Sequence, residues 1–403
     1  MKPLITAGLS MALVIVTGIS GRAGDSESLV HPESVGMSSV RLAHIAPVIE
    51  NAVKNKDLPG AVVVVGRKNH IVYRKAFGFS SLEPQSREMT VDMIFDLASL
   101  TKPVATAASL MILVEQGQIR LWDKVSEFVP GFSRHIDVHG NTSNPARIGH
   151  LLTHTSGLPG YVNKDEMESV FGDFCATPGL VRYIANMPKE SPPGEKFIYS
   201  CLGFITLAHI IEQISGKTID EFAEEHIFRP LAMHETFFRP PDEIRPRCVP
   251  TERVNGIVLQ GVVHDPLARL QGGVSGNAGL FSTADDLTVF ARMMLNEGKY
   301  QGVRVLSPLT VRRMTEIYPL VEFSGRGLGW DLDSPYSTNG GDLFGSRSYG
   351  HTGYTGTSMW IDPETETYVI FLTNSVHPDD LGDVISLRSR VANVVASALI
   401  DLD

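Results

Sequence analysis

The amino-acid sequence predicts an α+β fold, in which helices flank an antiparallel sheet formed by the two ends of the chain. Near the N-terminal end, apolar residues 61–65 and 71–73 flank a short polar turn, which is typical of a β-hairpin. Near the C-terminal end, strand-like residues 348–361 and 368–373 flank the turn at 362–364. Because hairpins join antiparallel neighbours, these segments together predict one antiparallel sheet.

The remaining elements are predicted to be helices. Helical spacing or composition marks the segments 40–56, 101–115, 202–215, 284–297 and 380–400. Turns rich in Pro and Gly separate the helical segments of the middle region. The pattern predicts one domain over residues 33–400, with an α/β part of about 33–95 and 300–400 and a mainly helical part of about 96–299.

The first 23 residues have the layout of a secretory signal peptide. Lys2 precedes an apolar stretch, Leu4–Ile19, and small residues stand at Ala23 and Gly21, one and three positions before the expected cut. The alternative is an uncleaved anchor, although a bilayer span needs about 20 apolar residues. We therefore expect a periplasmic or secreted protein, which an uncleaved segment would keep close to the membrane.

Composition excludes several classes of protein. The chain has 403 residues, of which 43% are hydrophobic and 20% charged, so it is neither a disordered chain nor a fibre. A formal net charge of −10 argues against a nucleic-acid partner, because phosphate binding needs a basic surface. The 3 cysteines are too few for a disulfide scaffold and lack the paired spacing of a zinc site. We expect neither a metal nor a cofactor.

Several common catalytic motifs are incomplete in this chain. The segment 273–277 fails the nucleophile-elbow pattern Gly-x-Ser-x-Gly at its last position. His150 and His154 lie four residues apart, but the metalloprotease pattern requires a Glu between them, so we interpret both as structural.

A Ser-x-x-Lys motif, Ser99 and Lys102, precedes an apolar helical segment. Three residues apart on a helix, the two side chains share one face. A serine hydroxyl is a weak nucleophile until a neighbouring group accepts its proton, and a lysine can accept it only when its pKa is depressed. Burial in an apolar helix would lower the lysine pKa in this way. The pair alone is a weak signal, because short motifs also occur by chance.

Two further segments strengthen the signal. Tyr199 lies in the segment 197–201, between a Pro-Pro-Gly turn and a helix. Residues 349–356, Tyr-Gly-His-Thr-Gly-Tyr-Thr-Gly, open a C-terminal strand with glycines that let a ligand approach the backbone. The order Ser-x-x-Lys, Tyr-Ser-x and His-Thr-Gly resembles the serine β-lactamase and penicillin-binding-protein superfamily.

The resemblance covers residues 33–400 and implies the β-lactamase/DD-peptidase-like fold. Segments 151–158, 327–330 and 263–282 are similar to the branch containing penicillin-binding protein 4B, a D-alanyl-D-alanine carboxypeptidase by name. Related exported amidases that cut N-acetylmuramyl-L-alanine and β-lactamase-like carboxylesterases share the motifs.

The resemblance implies a role for each catalytic residue. Ser99 would be the acylated nucleophile and Lys102 its proton acceptor. Tyr199 would relay protons to the leaving group and to the deacylating water. His351 would occupy the place of the lysine in the usual Lys-Thr-Gly triplet.

The resemblance also implies which residues contact the substrate. Thr352 and Gly353 would shape the strand beside it, and Cys201 would stand at the usual substrate-contacting position. The backbone N–H groups of Ser99 and Tyr354 would form the oxyanion hole.

Two residues depart from the family pattern. Cys201 replaces an asparagine, so a substrate-orienting amide becomes a weak hydrogen-bond donor, and we interpret this cysteine as packed and inert. His351, with an ordinary pKa near 6.5, would be only partly charged at neutral pH, which predicts pH-dependent recognition of carboxylates. Both departures argue against a strong broad-spectrum β-lactamase.

The leading hypothesis is an exported serine hydrolase that forms an acyl-enzyme on cell-wall peptides, as a DD-carboxypeptidase does. The alternatives are a muramyl-L-alanine amidase, a carboxylesterase, and a penicillin-binding sensor or scaffold without turnover. The expected partner is accordingly a small peptide, muramyl amide or ester.

Overall fold

The structure is a computed structural model that describes residues 29–402, so the predicted signal peptide at 1–23 lies outside the described residues. The strands are β1 Gly60–Arg67, β2 His70–Ser81, β3 Arg87–Glu88, β4 Phe95–Asp96, β5 Phe237–Phe238, β6 Arg253–Val254, β7 Ile257–Val258, β8 Leu280–Ser282, β9 Lys299–Tyr300, β10 Val303–Arg304, β11 Tyr349–Thr352, β12 Ser358–Asp362 and β13 Thr367–Thr373.

The α-helices are α1 Ser39–Leu42, α2 Ile45–Asn55, α3 Ala108–Glu115, α4 Val125–Phe128, α5 Ile148–Leu152, α6 Lys164–Phe171, α7 Thr177–Asn186, α8 Cys201–Ser215, α9 Ile219–Ala223, α10 Pro266–Leu270, α11 Ala284–Leu295, α12 Pro308–Met314 and α13 Ile385–Ser397. Segments of π-helix cover Lys102–Ala107 and Glu224–Phe228. Short 3₁₀ turns cover Pro32–Val35, Ala98–Leu100, Arg245–Arg247, Pro319–Ser324 and Ser337–Gly340. Among residues 29–402, no helix is both long and apolar enough to cross a bilayer.

A six-stranded antiparallel sheet joins the two ends of the chain. Its strand order is β11-β12-β13-β1-β2-β3, so the C-terminal strand β13 pairs directly with the N-terminal strand β1. Val63, for example, lies opposite Phe371 on one side and Lys75 on the other. The predicted α+β class and the predicted antiparallel sheet are both confirmed.

Strand β1 has an uninterrupted apolar sequence because both faces of the sheet are covered. Val62 and Val64 belong to the large core shared with helices such as α3, α8 and α11. Ala61, Val63 and Val65 belong to a second core with α2 and α13. Side chains alternate between the faces of a strand, so one valine run supplies two cores.

Near the C-terminus the structure differs from the expected elements. The stretch predicted as strand-like, 348–361, is two strands, because a tight turn at 353–357 separates β11 from β12. Gly356 has φ +117° there, a conformation that favours glycine. The last helix begins at Ile385 rather than 380, and the Asp383 carboxylate accepts the Ile385 N–H at 3.0 Å.

A small three-stranded sheet brings distant motifs together. Strand β4, which leads to Ser99, pairs with β8, which follows Asn277 along the chain. The nucleophile turn is thereby placed against the glycine-rich segment 272–279.

Candidate active site

Ser99 lies on the turn Ala98–Leu100, which the buried Asp96 holds in place. One oxygen of the Asp96 carboxylate accepts the Ala98 N–H at 2.9 Å, and the other accepts the His264 N–H at 2.7 Å. Ala98 adopts a left-handed backbone conformation, φ +46°, which is unusual for a non-glycine residue. Burial raises the pKa of Asp96, although both N–H groups favour its charged form. The carboxyl group thus fixes the backbone immediately before the nucleophile.

Lys102 lies one turn after Ser99, and the structure brings their side chains together. The fully buried Lys102 Nζ donates to Ser99 Oγ at 2.8 Å, to the Asn277 carbonyl at 3.0 Å and to Cys201 Sγ at 3.5 Å. An ammonium group has three N–H donors, and each of them has an acceptor here. The two residues are close enough for direct proton transfer.

The charge of Lys102 depends on its neighbours. Burial acts to lower its pKa, but a negative charge on Cys201 or Tyr199 acts to raise it, and the combined effect is a raised pKa. Burial also raises the pKa of the Cys201 thiol, which is therefore protonated at neutral pH. With that thiol neutral, the main counter-charge to the ammonium is absent and desolvation favours the free amine, the form that accepts the Ser99 proton.

Tyr199 lies on the connection before α8, as the sequence predicted, and its ring faces the Ser99–Lys102 pair. The Lys102 Nζ is 5.1 Å from the Tyr199 ring centroid. The rings of Tyr336 and His351 are 5.3 Å and 6.0 Å from it, centroid to centroid. Ser99, Tyr199 and His351 all line one cavity of about 380 Å³. The three sequence motifs therefore converge on a single pocket.

The surroundings of His351 favour its neutral form and lower its pKa, in contrast to the expectation of a partly charged histidine at neutral pH. Its Nδ1 lies 2.8 Å from the Thr352 carbonyl, to which it must donate, and Nε2 is therefore an acceptor. Nε2 is buried and has no hydrogen-bond partner in the described part of the chain. Burial, and then the nearby Arg326 charge, hold the His351 pKa well below its usual range.

The turn after His351 packs tightly against the nucleophile segment. A Cβ on Gly353 would lie 2.3 Å from the Leu97 carbonyl oxygen, so no larger residue fits. Thr355 Oγ1 donates to the Asp96 carbonyl at 2.7 Å. The buried Arg388 of α13 donates to the Gly353 carbonyl at 2.8 Å. The two segments that would supply the oxyanion hole are thus held together directly.

The pocket is also lined by three of the four remaining residues predicted to contact a substrate, but Cys201 is not part of its lining. Thr352, Gly353 and Tyr354 line it beside Ser99. Within residues 29–402, the Tyr354 N–H has no backbone acceptor, as an oxyanion-hole donor requires. Cys201 is partly buried at the first position of α8 and does not pair with another cysteine. Its raised thiol pKa agrees with the inert cysteine that the sequence suggested.

Arg326 is a pocket residue that the sequence reasoning missed. Its guanidinium is 1% exposed, and its Nη1 lies 3.4 Å from an Asp331 carboxylate oxygen. Its Nε and Nη2 are buried without a hydrogen-bond partner among the residues described. Arg326 is 5.9 Å from the Tyr199 ring centroid. Its position directly before the segment Gly327–Trp330 was the available signal.

The mouth of the pocket is more acidic than its interior. Asp380 and Asp383, both exposed, line it, and Tyr354 Oη donates to Asp380 at 2.9 Å.

In the described range 29–402, no group of three or more His, Cys, Asp or Glu side chains is arranged to hold a metal ion. The arrangement provides a nucleophile, two proton-transfer groups and backbone donors for an oxyanion, which is the chemistry of acyl transfer.

Comparisons with known proteins agree with this geometry. The Beta-lactamase family model matches residues 45–392. A "Putative D-alanyl-D-alanine carboxypeptidase" of Salmonella typhimurium strain LT2 is 33% identical over 376 residues, covering 86% of this chain and 85% of the relative. A protein of the same name from Escherichia coli K12 is 32% identical over 373 residues, with the same coverage of each chain.

Solved structures show the same fold. "EstCE1, a hydrolase with promiscuous acyltransferase activity" superposes with a TM-score of 0.73 at 22% identity, covering 89% of this chain and 99% of that one. The octameric penicillin-binding protein homologue from Pyrococcus abyssi has a TM-score of 0.68 at 24% identity, covering 88% of this chain and 77% of that one.

Proposed function

The chain is a serine hydrolase of the beta-lactamase and penicillin-binding-protein family, and on that premise we propose that it hydrolyses D-alanyl-D-alanine peptides of the cell wall as a carboxypeptidase. The observation that carries the proposal is the hydrogen bond of 2.8 Å between Lys102 Nζ and Ser99 Oγ, in a pocket that Tyr199 also lines. The relatives named as carboxypeptidases supply the substrate class.

The proposed reaction begins with attack of Ser99 Oγ on the peptide carbonyl. The free amine of Lys102 takes the hydroxyl proton, and the N–H groups of Ser99 and Tyr354 stabilise the oxyanion. The C–N bond then breaks as Tyr199 passes its proton to the departing D-alanine nitrogen and takes up the proton that Lys102 removed from Ser99. Water, activated through the same two side chains, hydrolyses the acyl-enzyme and restores the Ser99 hydroxyl.

Arg326 is the group in this pocket best suited to a substrate carboxylate. His351 stands where the family usually has lysine, but burial holds its pKa well below its usual range and so favours the neutral ring, which supplies no positive charge. The Arg326 guanidinium keeps its charge and has two N–H-bearing atoms without partners among residues 29–402. We therefore assign to Arg326 the attraction for the anionic end of the peptide.

A second candidate is hydrolysis of short neutral esters. The neutral His351 and the thiol at Cys201 favour it, because neither group demands a charged substrate. Such an ester would use the same nucleophile and the same oxyanion donors.

Export is part of the proposal. Residues 1–23 have the pattern of a signal peptide, and cell-wall peptides lie outside the cytoplasm. We propose a periplasmic or secreted enzyme, and cell fractionation of the full chain, with N-terminal sequencing of the product, tests this.

The test is a parallel assay of the purified enzyme on four acyl donors: a D-Ala-D-Ala peptide, a muramyl-L-alanine peptide, a short-chain ester and a chromogenic cephalosporin. We expect sustained release of D-alanine and the highest kcat/KM on the peptide. Ser99→Ala should abolish every activity and also labelling by a fluorescent penicillin. A single burst without turnover would indicate a sensor, and hydrolysis that survives in Ser99→Ala would refute the mechanism.

A further inference from the structure

His154 contacts three consecutive residues around the proposed proton-relay tyrosine. Its carbonyl accepts the Ile198 N–H at 2.9 Å, and its Nδ1 accepts the Ser200 N–H at 3.0 Å. Between these two bonds, the His154 ring stacks on the Tyr199 ring at a centroid distance of 4.4 Å and an interplanar angle of 30°. A single residue therefore holds the backbone on both sides of Tyr199 and covers one face of its ring.

The backbone of His154 is itself unusual. Its φ is +58°, a left-handed conformation that costs free energy for most non-glycine residues. It follows α5 and the cap residue Thr153, whose hydroxyl lies 2.9 Å from that of Thr155. This conformation lets both the carbonyl and the ring of one residue face the same strand-like segment. The contacts to 198–200 offset the strain.

The protonation of His154 suits this arrangement. Because Nδ1 accepts the Ser200 N–H, the ring proton is on Nε2 and the ring is neutral. Burial, and then the charge of Arg326, hold the His154 pKa well below its usual range. The side chain is 1% exposed and is not part of the lining of the active-site pocket, so it does not touch the substrate.

We propose that His154 is a positioning residue, which holds the Tyr199 ring at the distance from Ser99 and Lys102 that proton relay requires. The inference rests on the proposed role of Tyr199 in acyl transfer, but not on the identity of the acyl donor. Proton transfer needs heavy atoms within hydrogen-bond reach, and a displacement of about 1 Å can lower the rate about 100-fold. His154 acts on the reaction only through the position of Tyr199.

Two substitutions separate the contacts of His154. In His154→Asn, the amide oxygen takes the place of Nδ1, asparagine tolerates the positive φ, and only the ring stack is lost. In His154→Leu, both the acceptor and the aromatic ring are lost. With p-nitrophenyl acetate as the probe, we expect kcat to fall about 10-fold in His154→Asn and about 100-fold in His154→Leu, with KM changed less than about threefold.

His150→Asn is the matched control. His150 lies on the same segment, but its Nδ1 accepts the Arg147 N–H at the start of α5, at 3.2 Å. This variant replaces the same residue type without touching 198–200 and should keep the wild-type kcat. An equal loss of kcat in the His150 and His154 variants would show a general effect on folding and overturn the proposal.

A double-mutant cycle provides the readout that a merely structural role would not give. If His154 acts through the tyrosine, the double variant His154→Asn/Tyr199→Phe should be as slow as Tyr199→Phe alone. If the fold-loss of kcat in the double variant equalled the product of the losses in the two single variants, His154 would contribute independently of Tyr199, which contradicts the proposal.

A measurement without turnover keeps the inference distinct from the proposed function. The protein is labelled with fluorinated tyrosine, and the ¹⁹F NMR signal of Tyr199 is identified as the one that is absent in Tyr199→Phe. This signal should shift and broaden in His154→Leu but not in His150→Asn. If the wild-type enzyme turned over none of the acyl donors, the proposed function would fail, and this signal would still decide whether His154 holds the ring. An unchanged signal in His154→Leu would overturn the inference.

Discussion

The turn that contains Ser99 and Lys102 and the segment that contains Tyr199 are held in different ways. Ser99 and Lys102 meet because they are one helical turn apart, and their hydrogen bond of 2.8 Å is local. Tyr199 lies on a connection, and its neighbours are held by residues about 40 positions away, including His154 and Pro159. The Ser99–Lys102 turn, the local half of the site, is therefore positioned by helix geometry. The Tyr199 segment, the tertiary half, is positioned by contacts with residues distant in the chain. Substitutions should therefore affect the two halves differently.

Removing the proton acceptor from the local half should give the largest loss. In Lys102→Met, the buried volume is nearly kept, but no group remains to take the Ser99 proton, so kcat should fall about 1,000-fold. Steady-state kinetics on the best acyl donor measure this loss.

Lys189→Met is the matched control for that experiment. Lys189 is also a buried lysine, but its Nζ donates to Ser133 Oγ and backbone carbonyls outside the pocket, and burial lowers its pKa to about 8. It should lose stability but keep the wild-type kcat. A loss of kcat as large as that of Lys102→Met would show that burying any lysine, not the pair with Ser99, is what matters.

A substitution at Arg326 can show whether the pocket distinguishes charged from neutral acyl donors. Arg326→Lys keeps the positive charge beside Asp331 but loses the planar fork of N–H donors. The KM for a peptide with a free carboxylate should rise about 10-fold, which corresponds to about 1.4 kcal/mol, whereas the KM for a neutral ester should not change. Equal changes for both donors would remove the carboxylate role from Arg326.

The neutral His351 predicts a pH dependence of stability. Its pKa in the folded protein is lowered, so its contribution to stability is fully present above the unfolded value of about 6.5. The contribution is lost progressively as the pH falls below that value toward the folded pKa. Removing this group in His351→Asn should flatten the acid side of the stability curve by up to about 1.4 kcal/mol per pH unit.

Denaturant unfolding between pH 4 and pH 7 measures this slope. His139→Asn is the control, because the His139 ring is exposed and the slope should not change. Equal slopes for wild type and His351→Asn would mean that the His351 ring takes up a proton in the folded protein as easily as in the unfolded chain. Because its pKa is lowered, we also expect that titration of His351 does not change the activity between about pH 6 and pH 7. The sequence instead predicts pH-dependent recognition of carboxylates by this residue.

The smallest expected effect concerns the cap of α8, directly after Tyr199. Ser200 Oγ accepts the Gly203 N–H at 3.3 Å and donates to the Pro159 carbonyl at 2.6 Å. Ser200→Ala should lower the free energy of unfolding by about 1 kcal/mol, the usual value of an N-cap. Ser215→Ala, at the other end of the same helix, should cost less than about 0.5 kcal/mol. Its hydroxyl donates to the Ile211 carbonyl and accepts the Lys217 N–H at 3.2 Å, but Lys217 is partly exposed, so water can take over that bond. A larger loss of unfolding free energy in Ser215→Ala than in Ser200→Ala would show that the segment containing Tyr199 does not depend on this cap.

Much of the fold was predictable because its signals are local or periodic. The valine run at 61–65 and the apolar segment 368–373 predicted strands, and their pairing as β1 and β13 confirms the antiparallel sheet. The sequence does not predict the turn at 353–357, because Tyr and Thr, which favour strands, alternate with the glycines there. Only the close approach of Gly353 to the Leu97 carbonyl shows why the chain must turn there.

The Ser99–Lys102 pair can be predicted without a structure, because helix periodicity places residues three apart on one face whatever surrounds them. Only long-range packing accounts for the lowered pKa of His351, the pocket position of Arg326 and the contacts of His154 with residues 198–200. The physical reason is that burial and electrostatic neighbours depend on residues far apart in the chain. His154, which the sequence suggests is only structural, is in this way stacked on Tyr199 by residues that folding brings together.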